Sequence, residues 1–368
     1  MTTKPSKILI TGGAGFIGSR LALNLKQNGA EVTVYDNLHP QAHDGNPANL
    51  ASLEQAAVPV IKGDVCDLEA LQSALETVQP EVIYHLAAET GTGQSFDLPT
   101  RYCNVNVIGT TNLIEAVRAT KSVTRVVLAG SRSVYGEGAC VDENGAPTKA
   151  VERSPSDLEA GDFAVKDHEG GILTPVPTDA STCPVAPASV YASSKLMQEY
   201  LLTQAFWNTD VKVGILRLQN VYGPGQSLNN PYTGVLSIFA RQIQEGRVLE
   251  IYEDGDITRD FVYVDDVVRA FAAFASVATL PDRIVDIGLG QGATILEIAR
   301  KMLVSFGEDA MKYRISGAFR PGDIRYGVAD ISAAKSQLEW APQHSLENGL
   351  AALVAWSKTV HTRPKQEA

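Results

Sequence analysis

Gly12-Gly13-Ala14-Gly15-Phe16-Ile17-Gly18, directly after the apolar run Lys7 to Thr11, is the stretch whose reading decides the fold. The GxxGxxG spacing opens a helical pattern at the end of a short strand. Glycines there permit a tight turn, let the backbone approach a pyrophosphate and let helix pack closely on strand, while the helix N-terminus offers partial positive charge. Alone, such a cluster also suits a plain turn. Asp36 adds a second observation: it closes the next strand 18 residues after Gly18, where a carboxylate can accept bonds from ribose hydroxyls. No Arg follows it in Asn37-Leu38-His39, and a carboxylate repels a 2'-phosphate, so the expected dinucleotide is NAD rather than NADP. The alternative for Asp36 is a solvated loop acid.

Outward from this turn, apolar β-type runs alternate with helical stretches. Strands are expected at Lys7 to Thr11, Glu31 to Tyr35, Val58 to Lys62, Glu81 to His85 and Thr124 to Ala129. Helices are expected at Phe16 to Asn28, Leu68 to Val78 and Thr100 to Thr120. Val- and Ile-rich strands without strict alternation imply burial on both faces, hence a doubly wound, Rossmann-type parallel sheet covered by helices. Residues 138–182 interrupt this rhythm with four prolines and nine acids against three Lys or Arg. Helix returns at Val190 to Thr203, Val235 to Glu245, Asp265 to Ala278, Ile295 to Val304, Ile331 to Glu339 and Leu346 to Val360. Strands return at Val213 to Leu218, Val248 to Tyr252 and Ile284 to Ile287. The expected organisation is a cofactor domain over 1–188 carrying the 138–182 insertion. Residues 189–368 then complete its sheet and form a smaller, interleaved C-terminal α/β substrate lobe. The polar tail His361 to Ala368 is expected to fray.

Composition narrows the function classes. The 368 residues favour two lobes. With 44% hydrophobic and 20% charged residues and a mean hydropathy of -0.04, the chain can bury a core. The longest mainly apolar run, Val267 to Leu280, contains Arg269 and is too short to span a bilayer. Met1 to Lys7 is polar, without the apolar region of a secretory signal, so a cytoplasmic protein is expected. Cys66, Cys103, Cys140 and Cys183 are too widely and irregularly spaced for a metal pair or a disulfide framework, so no metal is expected. Net charge is -11, which disfavours nucleic acid and anionic membranes as partners. An anionic ligand must then be met locally, by a few Arg side chains or helix N-termini.

Further candidates lie where open α/β sheets bind ligands, at strand C-termini. Asp64 and Val65 follow the third strand, and His85-Leu86-Ala87-Ala88 the fourth; Asp64 is either a cleft residue or a helix cap. Tyr191-Ala192-Ser193-Ser194-Lys195 begins a helical pattern that puts Tyr191 and Lys195 on one face. A phenol must lose roughly 3 pKa units, about 4 kcal/mol, to act as a base at pH 7. One cation at about 5 Å and an effective dielectric near 20 supplies about 3 kcal/mol. Lys195 nearly suffices on this arithmetic, and an oxidised nicotinamide would add the rest. Such a pair alone would be read as a solvated helix face; the glycine turn upstream reverses that reading.

At this point the chain resembles the extended short-chain dehydrogenase/reductase family, the NAD-dependent epimerases and dehydratases of nucleotide sugars. The likeness runs from Ile8 to about Asp330. It rests on Thr11 to Gly18, Asp36, Asp64, His85 to Ala88, Asn106 within Asn-Val-Ile-Gly-Thr, Ser131, Tyr191 and Lys195. Arg217-Leu-Gln-Asn220-Val-Tyr-Gly-Pro, Arg259-Asp-Phe261-Val-Tyr-Val-Asp-Asp and Arg320-Pro-Gly-Asp323 complete it. The resemblance implies that Ser131 and Tyr191 hold the sugar hydroxyl to be oxidised, that Lys195 binds the nicotinamide ribose and that Asn106 acts near the cofactor. The implied cofactor shell comprises Gly12, Gly15, Phe16, Ile17, Gly18, Asp36, Asn37, Asp64, Val65, Leu86, Ala87, Ala88 and Asn106, with Tyr191 and Lys195. Arg259 and Arg320, with Asn220 beside them, are implied to grip a diphosphate, and Asp323 a nucleoside ribose. Ion pairs with Asp260 and Asp323 are the alternative for the two arginines. Thr90, Gln94 and Phe261 are candidates for contact with sugar or base. Relatives are commonly homodimers through the helices around Thr100 to Thr120 and Val190 to Thr203.

Subfamily choice rests on Ser131-Arg132-Ser133-Val134-Tyr135-Gly136. In the 4,6-dehydratases the two residues after the catalytic hydroxyl are Asp and Glu, an acid and base for eliminating water. Arg132 and Ser133 cannot replace them. The expected reaction is 4-epimerisation through a transient 4-keto sugar. Gln219-Asn220 to Gly234, followed by Tyr252-Glu-Asp-Gly, resembles the dTDP-L-rhamnose 4-epimerase type, as does the spacing of 60 between Ser131 and Tyr191. UDP-sugar epimerisation is the alternative. A dehydratase or reductase and an NAD-sensing protein remain as further ones.

Overall fold

The computed structural model describes residues 7–43, 48–230, 232, 234–277, 284–320 and 322–360. Seven strands form its main sheet: β1 (Lys7–Thr11), β2 (Glu31–Asp36), β3 (Val60–Lys62), β4 (Val82–His85), β5 (Arg125–Ser131), β6 (Lys212–Leu218) and β7 (Ile284–Ile287). Their order is β3-β2-β1-β4-β5-β6-β7, and every pairing is parallel. Strand order reverses between β1 and β4, where doubly wound sheets open a ligand crevice.

The missing alternation in β1 has its cause in two covered faces. Ile8 and Ile10 pack into a cluster with Leu21 of α1 (Phe16–Gln27) and with Phe271. Leu9 turns to the opposite cluster with Leu71 of α2 (Leu68–Val78) and Leu113 of α3 (Gly109–Ala119). On that second face also lies α4 (Val190–Ala205), through Leu202. On the first lies α5 (Val264–Ser276), which contributes Phe271 and Phe274. Each such side chain, fully buried, stabilises the fold by about 1.5–3 kcal/mol relative to exposure.

The helix expected from Thr100 to Thr120 is not uniform. A turn at Pro99–Tyr102 leads into a π-helical stretch, Cys103–Ile108, before α3. The wider turn leaves Asn106 fully buried, and such bulges recur at functional sites.

The second lobe is built on Thr258–Tyr263. This strand pairs in parallel with Asn220–Tyr222 and Tyr326–Gly327 and antiparallel with Gly292–Thr294. Its sequence does not read as a strand, because Arg259 and Asp260 interrupt the apolar run. Asp260 is tolerated at 0% exposure because its carboxylate accepts from Leu289 N, Gly290 N and Ala329 N at 2.6, 3.0 and 3.2 Å. Leu249–Ile251 pairs in parallel with Tyr313–Ile315, another strand the pattern does not announce. Phe239, Leu303 and Leu353, from three covering helices, close this core.

Within the 138–182 excursion, Cys140–Val141 pairs antiparallel with Thr174–Pro175, and Ser154 caps a short helix at Pro155–Glu159. Residues 278–280 of the apolar run and the tail 361–368 lie outside the described residues. Among the described residues no helix is long and apolar enough to cross a membrane.

Candidate functional site

One cleft of about 830 Å³ runs along the C-terminal edge of the main sheet and into the second lobe. Its floor is the β1–α1 turn. Gly12 adopts φ +67°, and a Cβ there would lie 2.6 Å from Ala87 N. A Cβ on Gly18 would lie 2.4 Å from Gly12 O, so only glycine lets α1 sit this close to β1. Gly15 is the N-cap of α1 with no side chain over the free N–H groups.

Asp36, 6% exposed, is anchored at the rim of this turn. Its Oδ2 accepts from Ala14 N at 2.9 Å, and its Oδ1 from Leu38 N at 2.8 Å and His43 Nε2 at 3.2 Å. An ionised carboxylate offers roughly four acceptor sites, so about one stays free for a ribose hydroxyl without displacing His43. The glycine cradle and this carboxylate fit NAD, since the same carboxylate would repel a 2'-phosphate. NAD, when bound, supplies the hydride acceptor and donor.

Gly12, Gly15, Phe16, Ile17, Gly18, Asp36, Asn37, Val65, Leu86, Ala87 and Ala88 all line the cleft. Asp64 stands behind it: it accepts from Asn37 Nδ2 at 3.0 Å and from Cys66 N at 2.8 Å, which hold its carboxyl below the usual range against burial. The cap of α2 is Asp67, through Ala70 N, so that alternative for Asp64 falls away. Asn106 also lies behind the wall, where Nδ2 donates to Ser194 Oγ at 2.9 Å and to Glu89 O, and Oδ1 accepts from Glu89 N. It clamps the loop after β4 onto α4.

Ser131 ends β5 and caps the following 3-10 turn through Ser133 N. Ser189 caps α4 through Ala192 N, setting Tyr191 in its first turn and Lys195 one turn on. The Tyr191 ring meets the edge of Tyr102 at 6.3 Å, and Tyr191 lines the cleft together with Ser131. Burial pushes the phenol above its ordinary value, and the Ser131 hydroxyl pulls the other way. Lys195, 3% exposed, donates to Gln198 Oε1 at 2.6 Å. Burial lowers its pKa to about 8, against the pull of Glu199.

His85, fully buried at the end of β4, is held between Thr11 Oγ1 (2.7 Å) and Thr110 Oγ1 (3.0 Å). Burial first, then Lys195, lowers its pKa to about 3, so it stays neutral. Gln198 Nε2 donates to the same Thr110 hydroxyl at 2.8 Å, joining Lys195 to this network. The sequence gives no signal for Gln198, Gln41 or His43, since each acquires its partner only through folding.

At the other end, Thr90, Asn220, Arg259, Arg320 and Asp323 line the cleft with Ser131 and Tyr191. Arg259 pairs with Asp323 at 2.5 Å rather than with Asp260. Gln94 is buried behind the wall against Gln41 at 2.8 Å. Phe261 packs in the second-lobe core, edge-on to Tyr222 at 6.3 Å. Among the described residues no group of His, Cys, Asp and Glu could hold a metal ion.

Residues 9–155 match the family model for GDP-mannose 4,6 dehydratase, and residues 167–288 that for the NAD dependent epimerase/dehydratase family. Arg132 and Ser133, both in the cleft, occupy the positions after Ser131 where dehydration would need its acid and base. The chain is 43% identical over 353 residues to dTDP-L-rhamnose 4-epimerase of Burkholderia thailandensis, covering 95% of this chain and 94% of that protein. It is 32% identical over 350 residues to UDP-glucose 4-epimerase of Mycolicibacterium smegmatis, covering 95% and 97%. Its fold matches the crystal structure of Thermus thermophilus UDP-glucose 4-epimerase in complex with NAD, with a TM-score of 0.76, 28% identity and 95% and 98% coverage. With a dinucleotide cradle, a Ser–Tyr–Lys set beside it and relatives aligned over almost the whole chain, the protein belongs to the NAD-dependent epimerase/dehydratase family.

Proposed function

We propose that the sugar inverted by this NAD-dependent nucleotide-sugar 4-epimerase is a dTDP-linked 6-deoxyhexose of the dTDP-L-rhamnose type. The observation that carries the reaction is that Tyr191 and Ser131 line the cleft beside the glycine cradle, with no carboxyl at the two positions after Ser131. The sugar assignment is supported by the relative at 43% identity, against 32% for the one named for UDP-glucose.

In this reading Ser131, Tyr191 and Lys195 are catalytic. Ser131 orients the 4-hydroxyl, and Tyr191 removes its proton and returns it to the same oxygen once the carbon has been inverted. Lys195 binds the nicotinamide ribose and adds positive charge near the phenol. Because burial opposes ionisation of Tyr191, the base is active only once cations surround it. Arg259, Arg320 and Asn220 take the diphosphate, Asp323 the nucleoside ribose, and Thr90 the sugar. The enzyme is read as a cytosolic homodimer; its four cysteines are all unpaired.

The test is incubation of purified protein with dTDP-, UDP- and GDP-sugars, following the 4-position proton by NMR. Epimerisation of dTDP-L-rhamnose without stoichiometric change in cofactor absorbance is expected. Conversion of UDP-glucose or a UDP-uronate alone would favour the second reading, and release of water or net cofactor reduction would defeat epimerisation. Tyr191→Phe should lower turnover by about 10²–10⁴-fold while keeping NAD; an unaffected variant would point to an NAD-sensing role.

A further inference from the structure

Four guanidiniums line the cleft; Arg101 is paired with Glu89 at 2.7 Å, which leaves Arg132, Arg259 and Arg320. Two of them are already engaged. Arg259 donates to Thr258 O at 2.9 Å, Asp323 Oδ1 at 2.5 Å and Ile324 O at 2.8 Å, which ties it to its own lobe. Arg320 is exposed and lies over the Tyr252 ring at 4.7 Å. Arg132 differs. Among the described residues its guanidinium donates only to Gly136 O, at 2.8 Å.

The carboxylates that could neutralise Arg132 are occupied by other partners. Glu137 accepts from Arg153 Nε at 2.9 Å and from Arg325 N at 2.7 Å. Glu253 accepts from both Arg153 and Arg325. Arg153 belongs to the 138–182 excursion, so that segment takes the direct hydrogen bonds of Glu137 and Glu253. Burial, reinforced by the like charge of Arg259, lowers the Arg132 pKa to about 10. A half-buried cation beside another cation, hydrogen-bonded to no carboxylate although Glu137 and Asp323 act on it through space, gains when a ligand supplies an anion in direct contact. Gly327 makes the room for it: a Cβ there would come within 3.2 Å of Arg132 Cζ and Nη1.

We propose that Arg132 binds the diphosphate of the substrate, completing the anion site with Arg259. This rests on the nucleotide-sugar reading above. Three guanidiniums less the Asp323 carboxylate leave two positive charges, matching the two negative charges of a diphosphate diester. A neutral sugar preserves that balance and a uronate exceeds it. The planar fork suits phosphate oxygens, and Gly136 O fixes one edge of it.

The experiment is calorimetric titration of NAD-loaded wild type, Arg132→Gln, Arg132→Lys and Gly327→Ala with dTDP, dTMP, UDP and UMP. Arg132→Gln should lose about tenfold to hundredfold affinity for the preferred diphosphate and about twofold or less for the matching monophosphate. Arg132→Lys should fall between. Gly327→Ala, which shifts the guanidinium by a few tenths of an ångström without removing it, should show a smaller loss of the same selectivity, and Arg132→Lys keeps the assignment testable if Arg132→Gln folds poorly. Unchanged diphosphate affinity, or equal losses for mono- and diphosphate, would overturn the assignment. Wild type that binds neither diphosphate would overturn the nucleotide-sugar reading and the assignment of Arg132 with it.

Discussion

Lys195 carries a charge that its position disfavours. It is buried, its ammonium is met by a neutral amide, and its pKa falls from 10.5 to about 8. Two opposite pH trends follow for protein stripped of NAD. A folded-state pKa below the unfolded value means that between about pH 8 and 10.5 the unfolded chain binds the extra proton, so stability from this residue rises with pH. NAD affinity should fall over the same rise through about 8, as the ammonium that meets the ribose is lost. Thermal melts and NAD titrations of wild type and Lys195→Met would check this, the variant lacking both trends. Parallel profiles for the two proteins would remove Lys195 from the cofactor site. The spacing of Tyr191 and Lys195 is legible in the sequence because four residues along a helix fix it. The Gln198–Thr110–His85 network behind Lys195 is not, because its members lie on three separate elements.

Among elements, the β1–α1 turn couples stability to cofactor binding through close backbone contact. Gly18→Ala would bring a methyl to 2.4 Å from Gly12 O and 2.6 Å from Gly13 Cα, both backbone atoms that cannot rotate away. α1 must shift, opening the cradle. A loss of about 1–3 kcal/mol and of most bound NAD is expected, read by thermal melts and by released nucleotide. Gly15→Ala meets only Gly12 O, at 3.3 Å, so it should lose NAD with a smaller change in stability. If both variants retain NAD, the turn is not the pyrophosphate cradle. This turn is readable because its glycines lie within one short stretch. The π-helical segment is hidden, because Cys103 to Ile108 reads as ordinary helix until Asn106 finds Ser194 and the Glu89 backbone.

For the molecule as a whole, exposed apolar side chains lie on the helices through which the resemblance implies a homodimer. Met197 and Tyr200, three apart on α4, are 44% and 45% exposed, and Ile108 before α3 is 48% exposed. A homodimer through α3 and α4 would cover them. Light scattering should give twice the 39.3 kDa chain mass, and Met197→Glu with Tyr200→Glu should give the monomer. A monomeric wild type would refute the pairing. Within the chain, the lobes are joined by charge as well as by backbone. Arg153 bridges Glu137, which follows β5, to Glu253 and the Asp323 carbonyl of the second lobe.

The sequence by itself determined what is local: the glycine turn, the acid closing β2, the βα rhythm, and a tyrosine and lysine one helical turn apart. Each depends on residues close in the chain, where backbone geometry fixes the relation. Tertiary structure alone decided which charges are occupied. It turned Asp260 inward to three backbone donors and placed Gln94 and Phe261 behind the cleft wall. It also left Arg132 facing the cleft while Arg153 and Arg325 took the nearby carboxylates. Those outcomes depend on partners up to 188 residues apart, and no local pattern encodes a competition among distant charges for the same buried space.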